Sequence, residues 1–64
     1  MYIYIVYYMD PVYPEDSRII GAYSSSEKAE AAIESEIIFY LAQYGKQNHQ
    51  TFKHNYGIKQ SIVE

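Results

Sequence analysis

Met1-Tyr-Ile-Tyr-Ile-Val-Tyr-Tyr-Met9 decides the fold. All nine residues are apolar or aromatic, and β-branched and tyrosyl side chains dominate, which is the composition of a strand. The run has no polar face, so as a strand it is covered on both sides or presents a tyrosine surface to a partner. It is too short for a membrane span and has no basic region before it, so it reads as neither anchor nor signal peptide.

Working outward, Met9-Asp-Pro-Val-Tyr-Pro-Glu-Asp-Ser17 is loop chemistry: Pro11 and Pro14 remove backbone donors, so the strand at 2–9 cannot run through it. Arg18-Ile-Ile-Gly-Ala-Tyr23 reads as a second, shorter strand and completes a hairpin with a long connection. Gly21 inside it signals a bulge or a neighbour packed against the backbone. Ser24-Ser-Ser-Glu27 then starts a helix, with Ser24 as N-cap and Glu27 closing a capping box. Ala29, Ile33, Ile37, Tyr40, Leu41 and Tyr44 recur at three- and four-residue steps, one face of a helix over 25–44 that Gly45 ends in a left-handed cap. At 1.5 Å per residue that helix is about 30 Å long, against about 27 Å for the first strand. Its last turns overhang the sheet, where Ile38 and Phe39 widen the apolar stripe. Residues 46–55 are polar with Phe52 as anchor, and 56–63 alternate as a half-buried third strand.

The order ββαβ predicts an α+β fold of one domain over 1–64: a three-stranded sheet of order 2-1-3 with one long helix packed on one face. The second and third strands are joined by a right-handed crossover and run parallel, and the most apolar strand takes the centre. One helix covers one face only. Ile3, Ile5 and Tyr7 are expected to face it, leaving Tyr2, Tyr4, Val6 and Tyr8 outside, because tyrosine covers a sheet while keeping its hydroxyl wet.

A chain of 64 residues buries only roughly 60% of its unfolded surface. Cysteine is absent, which excludes disulfides and thiolate ligands and fits a reducing compartment. Two histidines do not fill a structural zinc site. Self-association is the remaining supplement to a thin core. The net charge of −3 divides into −5 over residues 1–44 and +2 over 45–64, a modest dipole without the basic stripe of a duplex binder.

Ile19-Ile-Gly-Ala-Tyr-Ser-Ser-Ser-Glu-Lys-Ala-Glu-Ala-Ala-Ile33 resembles small uncharacterised bacterial and phage proteins. These carry an Ile-Gly-Val-Tyr/Phe-Ser-like turn followed by Glu-Lys-Ala-Glu-Glu-Ala-Ile, and their N-terminal Tyr-Ile-Val-Tyr strand is similar too. The resemblance covers roughly the first half of the chain. It implies a ββαβ domain of unknown function and a phage origin, and it transfers no catalytic residue. Lys59 and Gln60 depart from the alternating acids and apolars with which those proteins close.

No motif carries catalysis. His49 and His54 lie five apart in a polar loop without a further fixed ligand, and serines 24–26 serve a cap rather than a nucleophilic turn. No cofactor, metal or enzymatic activity is expected. Glu27, Glu30 and Glu34 form a stripe on one helix flank, either an acidic patch for a basic partner or a solvated edge. Nine tyrosines among 64 residues are the strongest lead, since tyrosine contributes large contact area at small entropic cost. The expected function is a small cytoplasmic, phage-type interaction protein that binds and inhibits or modulates a host protein, defence proteins included. It is expected to be a homo-oligomer without membrane contact, using Tyr2, Tyr4, Tyr8, Ile38, Phe39 and the three glutamates. The alternative is a module holding a nucleotide or single-stranded nucleic acid on its tyrosine face beside Lys53, His54 and Lys59.

Overall fold

The computed structural model describes residues 1–63; Glu64, which closes the sequence-derived domain and its C-terminal charge, lies outside the described residues. The chain forms β1 (Tyr2–Tyr8), β2 (Arg18–Tyr23), α1 (Ser26–Tyr44) and β3 (Tyr56–Ile62). The sheet has the order β2-β1-β3, and β1 is antiparallel to both neighbours. The most apolar strand therefore sits at the centre, where both of its ladders are satisfied.

The face of β1 that meets the helix is the reverse of the sequence expectation. Val6 and Tyr8 are fully buried in a core completed by Ala29, Ile33 and Tyr56, with Tyr4, Ile20, Tyr23, Ile37 and Ile58 packed round it. Ile3, Ile5 and Tyr7 lie on the bare side. The cause is in the register. Val6 pairs with Ile58 and Tyr8 with Tyr56, while Ile5 pairs with Lys59 and Tyr7 with Gly57. A sheet with period two cannot bury Ile5 under the helix without burying the Lys59 ammonium as well. Gly57 has a second role, because a Cβ there would lie 2.3 Å from the Tyr7 ring, which occupies that space.

Tyr8 solves the problem of its hydroxyl by position. At the end of β1 its ring packs 5.1 Å from that of Tyr56, while its hydroxyl donates to Asp10 Oδ2 at 2.8 Å. The Tyr56 hydroxyl likewise donates to the Gln50 carbonyl at 2.7 Å. Large rings fill the space above small Ala29, and both polar tips leave the core satisfied.

In β2 the register with β1 shifts between Val6 and Tyr7, leaving Ile20 as the extra residue of a bulge. Gly21 also meets its second expectation: the Tyr23 side chain folds over it, 2.9 Å from where a Cβ would stand.

The helix begins one residue later than the serine run predicted. Ser25, not Ser24, is the N-cap, its hydroxyl accepting from the Lys28 amide at 3.2 Å. Glu27 therefore falls at the second helical position, and the predicted capping box does not form. Ser24 instead accepts from the Lys28 ammonium at 3.2 Å. Gly45 ends the helix at φ 68°, donating to the Leu41 carbonyl, as its place in the sequence predicted.

The segment after the helix is anchored by polar residues rather than by Phe52, which is half exposed. Two 3₁₀ turns, His49–Thr51 and Lys53–Asn55, bury Thr51 and Asn55. The Thr51 hydroxyl donates to the Asn48 carbonyl and the Asn55 amide to the His49 carbonyl, each at 2.8 Å, so these side chains enter the interior already paired.

Helix and sheet are staggered. β2 ends at Tyr23, opposite Tyr4, and α1 starts three residues later, so nothing of the helix lies above Tyr2. At the far end Tyr40 reaches Arg18, the partner of Tyr8, and residues 41–44 run on past the strands. The long axis of 41 Å exceeds either layer alone, about 24 Å for β1 and about 28 Å for α1.

Candidate functional site

The expected interaction residues do not form one site. Tyr8 is in the core and Tyr4 packs against it, so neither presents a surface to a partner as Tyr2, Tyr4 and Tyr8 were expected to do together. Tyr2 alone of the three stands out, half exposed at the uncovered sheet end.

Ile38 and Phe39 are where the helix pattern placed them, exposed by 66% and 57% on the outward side of α1. Phe39 meets Tyr40 edge-on at 5.2 Å, and Tyr40 stacks on Tyr44 at 6.0 Å. These aromatic contacts hold the Phe39 ring in place without covering it, giving a preorganised apolar knob.

Glu27, Glu30 and Glu34 are exposed along one helix flank. Lys53 comes within 3.3 Å of Glu30 and offsets one charge of the stripe. With both side chains at least half exposed, this pair is worth at most about 1 kcal/mol. Glu27 and Glu34 remain as a negative margin on the flank that leads to Ile38.

The sequence reading missed the arrangement round Arg18. Its guanidinium lies 5.4 Å from the Tyr8 ring centre and 5.6 Å from that of Tyr40. It also donates to the Tyr40 hydroxyl and stands 3.7 Å from Glu36. Cation–π contact and charge pairing together fasten β2 to the last third of α1. Beside it, Tyr7, Tyr8, Met9, Ser17, Arg18 and Ile19 line an open cleft of about 390 Å³. Arg18 lines this cleft, but its guanidinium is already engaged by Tyr40 and lies near Glu36. The one clue in the sequence was that Arg18 is one of only two cations, with Lys28, against seven acids in residues 1–44.

Asp10 organises the connection between β1 and β2. It accepts from the Val12 and Tyr13 amides at 2.9 and 2.8 Å and from the Tyr8 hydroxyl. These bonds, the Tyr13 and Val12 amides foremost, hold its carboxyl below the usual range. Burial, then Asp10, pushes the Tyr8 phenol up; burial, then the charge of Glu36, pushes Tyr56 up to about 12.

No group of three or more His, Asp or Glu side chains converges as a metal site among the described residues. His54 stacks on Phe52 at 5.6 Å. No helix among the described residues is long and apolar enough to cross a membrane.

Comparison with curated proteins and with solved structures finds no match. A family model does match, over residues 1–53, from β1 through the first 3₁₀ turn of the polar segment, His49–Thr51. The chain belongs to that family, a domain of unknown function, DUF7336.

Proposed function

We propose that this chain is a small non-enzymatic interaction protein that binds and modulates a protein partner through the outward side of the α1 end. The observation that carries this reading is the exposure of Ile38 and Phe39, large apolar side chains next to each other on a rigid helix. Burying such a pair against a partner is favourable by about 25 cal/mol per Å², and a rigid aromatic anchor loses little entropy on binding. Glu27 and Glu34 on the adjoining flank favour a partner with basic groups beside its apolar pocket.

The resemblance to phage proteins extends the proposal: the partner is a host protein, met in the cytoplasm, and binding inhibits it. The nucleotide-binding reading draws no comparable support. Lys59 pairs with Ile5 and so lies on the opposite side of the sheet from Tyr4 and Tyr8, and Tyr8 is under the helix. Of the three side chains expected beside the stacking floor, Lys59 therefore does not share its face.

The test compares the unaltered chain with the Ile38→Asp, Phe39→Asp double variant in chemical cross-linking within a lysate of the host cell. A protein adduct given by the unaltered chain and lost from the variant is expected, with the stability of the fold changed by less than about 0.5 kcal/mol, as for surface substitutions. The same adducts from both chains would refute this surface.

A further inference from the structure

We infer that copies of this chain associate head to tail, the overhanging helix end of one molecule covering the bare sheet end of the next. This surface is distinct from the Ile38 and Phe39 side proposed above for a foreign partner.

The stagger of the two layers carries the inference. At one end the sheet continues beyond the helix: Tyr2 and Ile62 are cross-strand partners on the helix-facing side, exposed by 51% and 66% with no helix above them. The backbone ladder persists past them, the Val63 amide donating to the Met1 carbonyl at 2.9 Å. At the other end the helix continues beyond the sheet. Leu41 and Tyr44 lie on the line of Ile33 and Ile37 that meets the strands; the 3₁₀ turns after the helix pack against α1, yet Leu41 and Tyr44 remain 38% and 49% exposed. One end is a sheet that lacks a helix, and the other is a helix that lacks a sheet. A second copy supplies to each end what it is missing, and the helix layer then runs on from molecule to molecule.

Area agrees with this occupant. The chain exposes 4599 Å², whereas a folded monomer of 7.5 kDa is expected to expose about 4,250 Å². The exposed apolar side chains are concentrated at the same two ends. Met1 and Val63 flank Tyr2 and Ile62, and Met9, Val12 and Tyr13 of the hairpin connection lie at the end where Leu41 and Tyr44 project. Taking about 200 Å² as the ceiling for a large side chain, complete burial of these side chains at both ends would remove at most about 1,000 Å². That is the lower limit for a specific contact, so association is expected to be weak and reversible. The two ends differ in structure, so the contact is heterologous and does not close at a dimer.

The test is sedimentation velocity with Ile62→Lys and Tyr44→Lys, each alone and mixed in equal amounts. For the unaltered chain the sedimentation coefficient should rise with concentration past that of a dimer. Each variant alone should stay monomeric at concentrations where the unaltered chain associates. The mixture should form dimers and stop there, since it contains one intact sheet end and one intact helix end. A chain that stays monomeric at about 1 mM, where even a contact worth about 4 kcal/mol would be half formed, overturns the proposal. So does a dimer of either single variant, which would show a symmetric contact through the end left intact. A measurement on the unaltered chain needs no variant to fold: amide shifts that depend on concentration should appear at both ends, round Tyr2 and Ile62 and round Leu41 and Tyr44. Shifts at one end only, or on the open face at Ile3 and Ile5, also overturn it.

Discussion

Tyr7 and Tyr8 are adjacent and chemically identical, so truncating each in turn isolates the effect of the sheet face on stability. Tyr8→Ala removes a fully buried ring together with its contacts to Tyr56 and Arg18 and its bond to Asp10. Truncating a buried aromatic costs about 3–5 kcal/mol. Tyr7→Ala removes a partly exposed ring that lies over Gly57, and about 1 kcal/mol is expected. A domain of 64 residues has a total stability of about 3–10 kcal/mol, so Tyr8→Ala consumes most or all of it. Urea unfolding followed by far-ultraviolet circular dichroism reads the difference. With a slope of about 1 kcal/mol per molar for a chain this small, the two midpoints should differ by about 2–4 M, or Tyr8→Ala should be unfolded in buffer. Tyr8→Leu, which refills part of the space, should recover a measurable transition. Equal costs, or a greater cost at Tyr7, would refute the assignment of the even-numbered face to the core.

Three further outcomes follow from the caps and the titrating groups. Ser25→Ala should cost about 1 kcal/mol and Ser24→Ala only a few tenths, measured by the same unfolding curves; the reverse order would restore Ser24 as the cap. Gly45→Ala should cost about 1 kcal/mol from backbone strain alone, because φ is 68° and a Cβ there would meet nothing within 4 Å. In the fold the Tyr56 phenol is raised to about 12 and that of Tyr8 is raised too, while in the unfolded chain phenols ionise near 10. The unfolded state thus loses these protons first, and stability present below pH 10 should fall as pH rises toward 12. Tyr56→Phe should flatten that alkaline limb in pH-dependent unfolding, and an unchanged slope would contradict it. Asp10 has the opposite sign, its lowered carboxyl stabilising the fold above the ordinary carboxylate range and losing that effect in acid.

The architecture was legible because its signals are local. An apolar run stopped by Pro11, a serine run before a periodic stripe, and Gly45 after it place the strands and helix without knowledge of their contacts. The face of β1 was not legible from β1, since a strand apolar on both sides has alternation without a sign. The sign lay 50 residues away in Lys59 and Gly57, and only the register transmits it. The three serines were equally good caps by composition, and geometry separated them by one residue. Phe52 was expected as an anchor on hydrophobicity, yet Thr51 and Asn55 are buried because their 3₁₀ turns supply partners to the polar groups. The Arg18 latch spans 22 residues to Tyr40, beyond any local pattern. Of the candidate site, the overhang and its two outward residues were legible from the mismatch of helix and strand lengths. The uncovered sheet end was not, because that mismatch says only that the layers differ in length and not where the helix starts along the strands.

The two surfaces at the helix end can be separated by experiment because they lie on different sides of one cylinder. At about 100° per residue, Tyr44 falls within about 20° of Ile37, whereas Ile38 and Phe39 are turned from it by about 100° and 200°. A copy seated beneath Tyr44 leaves Ile38 and Phe39 uncovered, so a molecule within an assembly still presents its knob to a foreign partner. Assembly then sets the valency of partner binding without altering the contact itself. The Ile38→Asp, Phe39→Asp variant should keep the concentration-dependent sedimentation of the unaltered chain while losing its adduct. Leu41→Lys, which leaves the Phe39–Tyr40–Tyr44 contacts intact, should keep the adduct while remaining a monomer. Sedimentation and cross-linking on the same two preparations check both halves. If either substitution abolishes both behaviours with the fold intact, the helix end is a single surface and the division argued from its geometry is wrong.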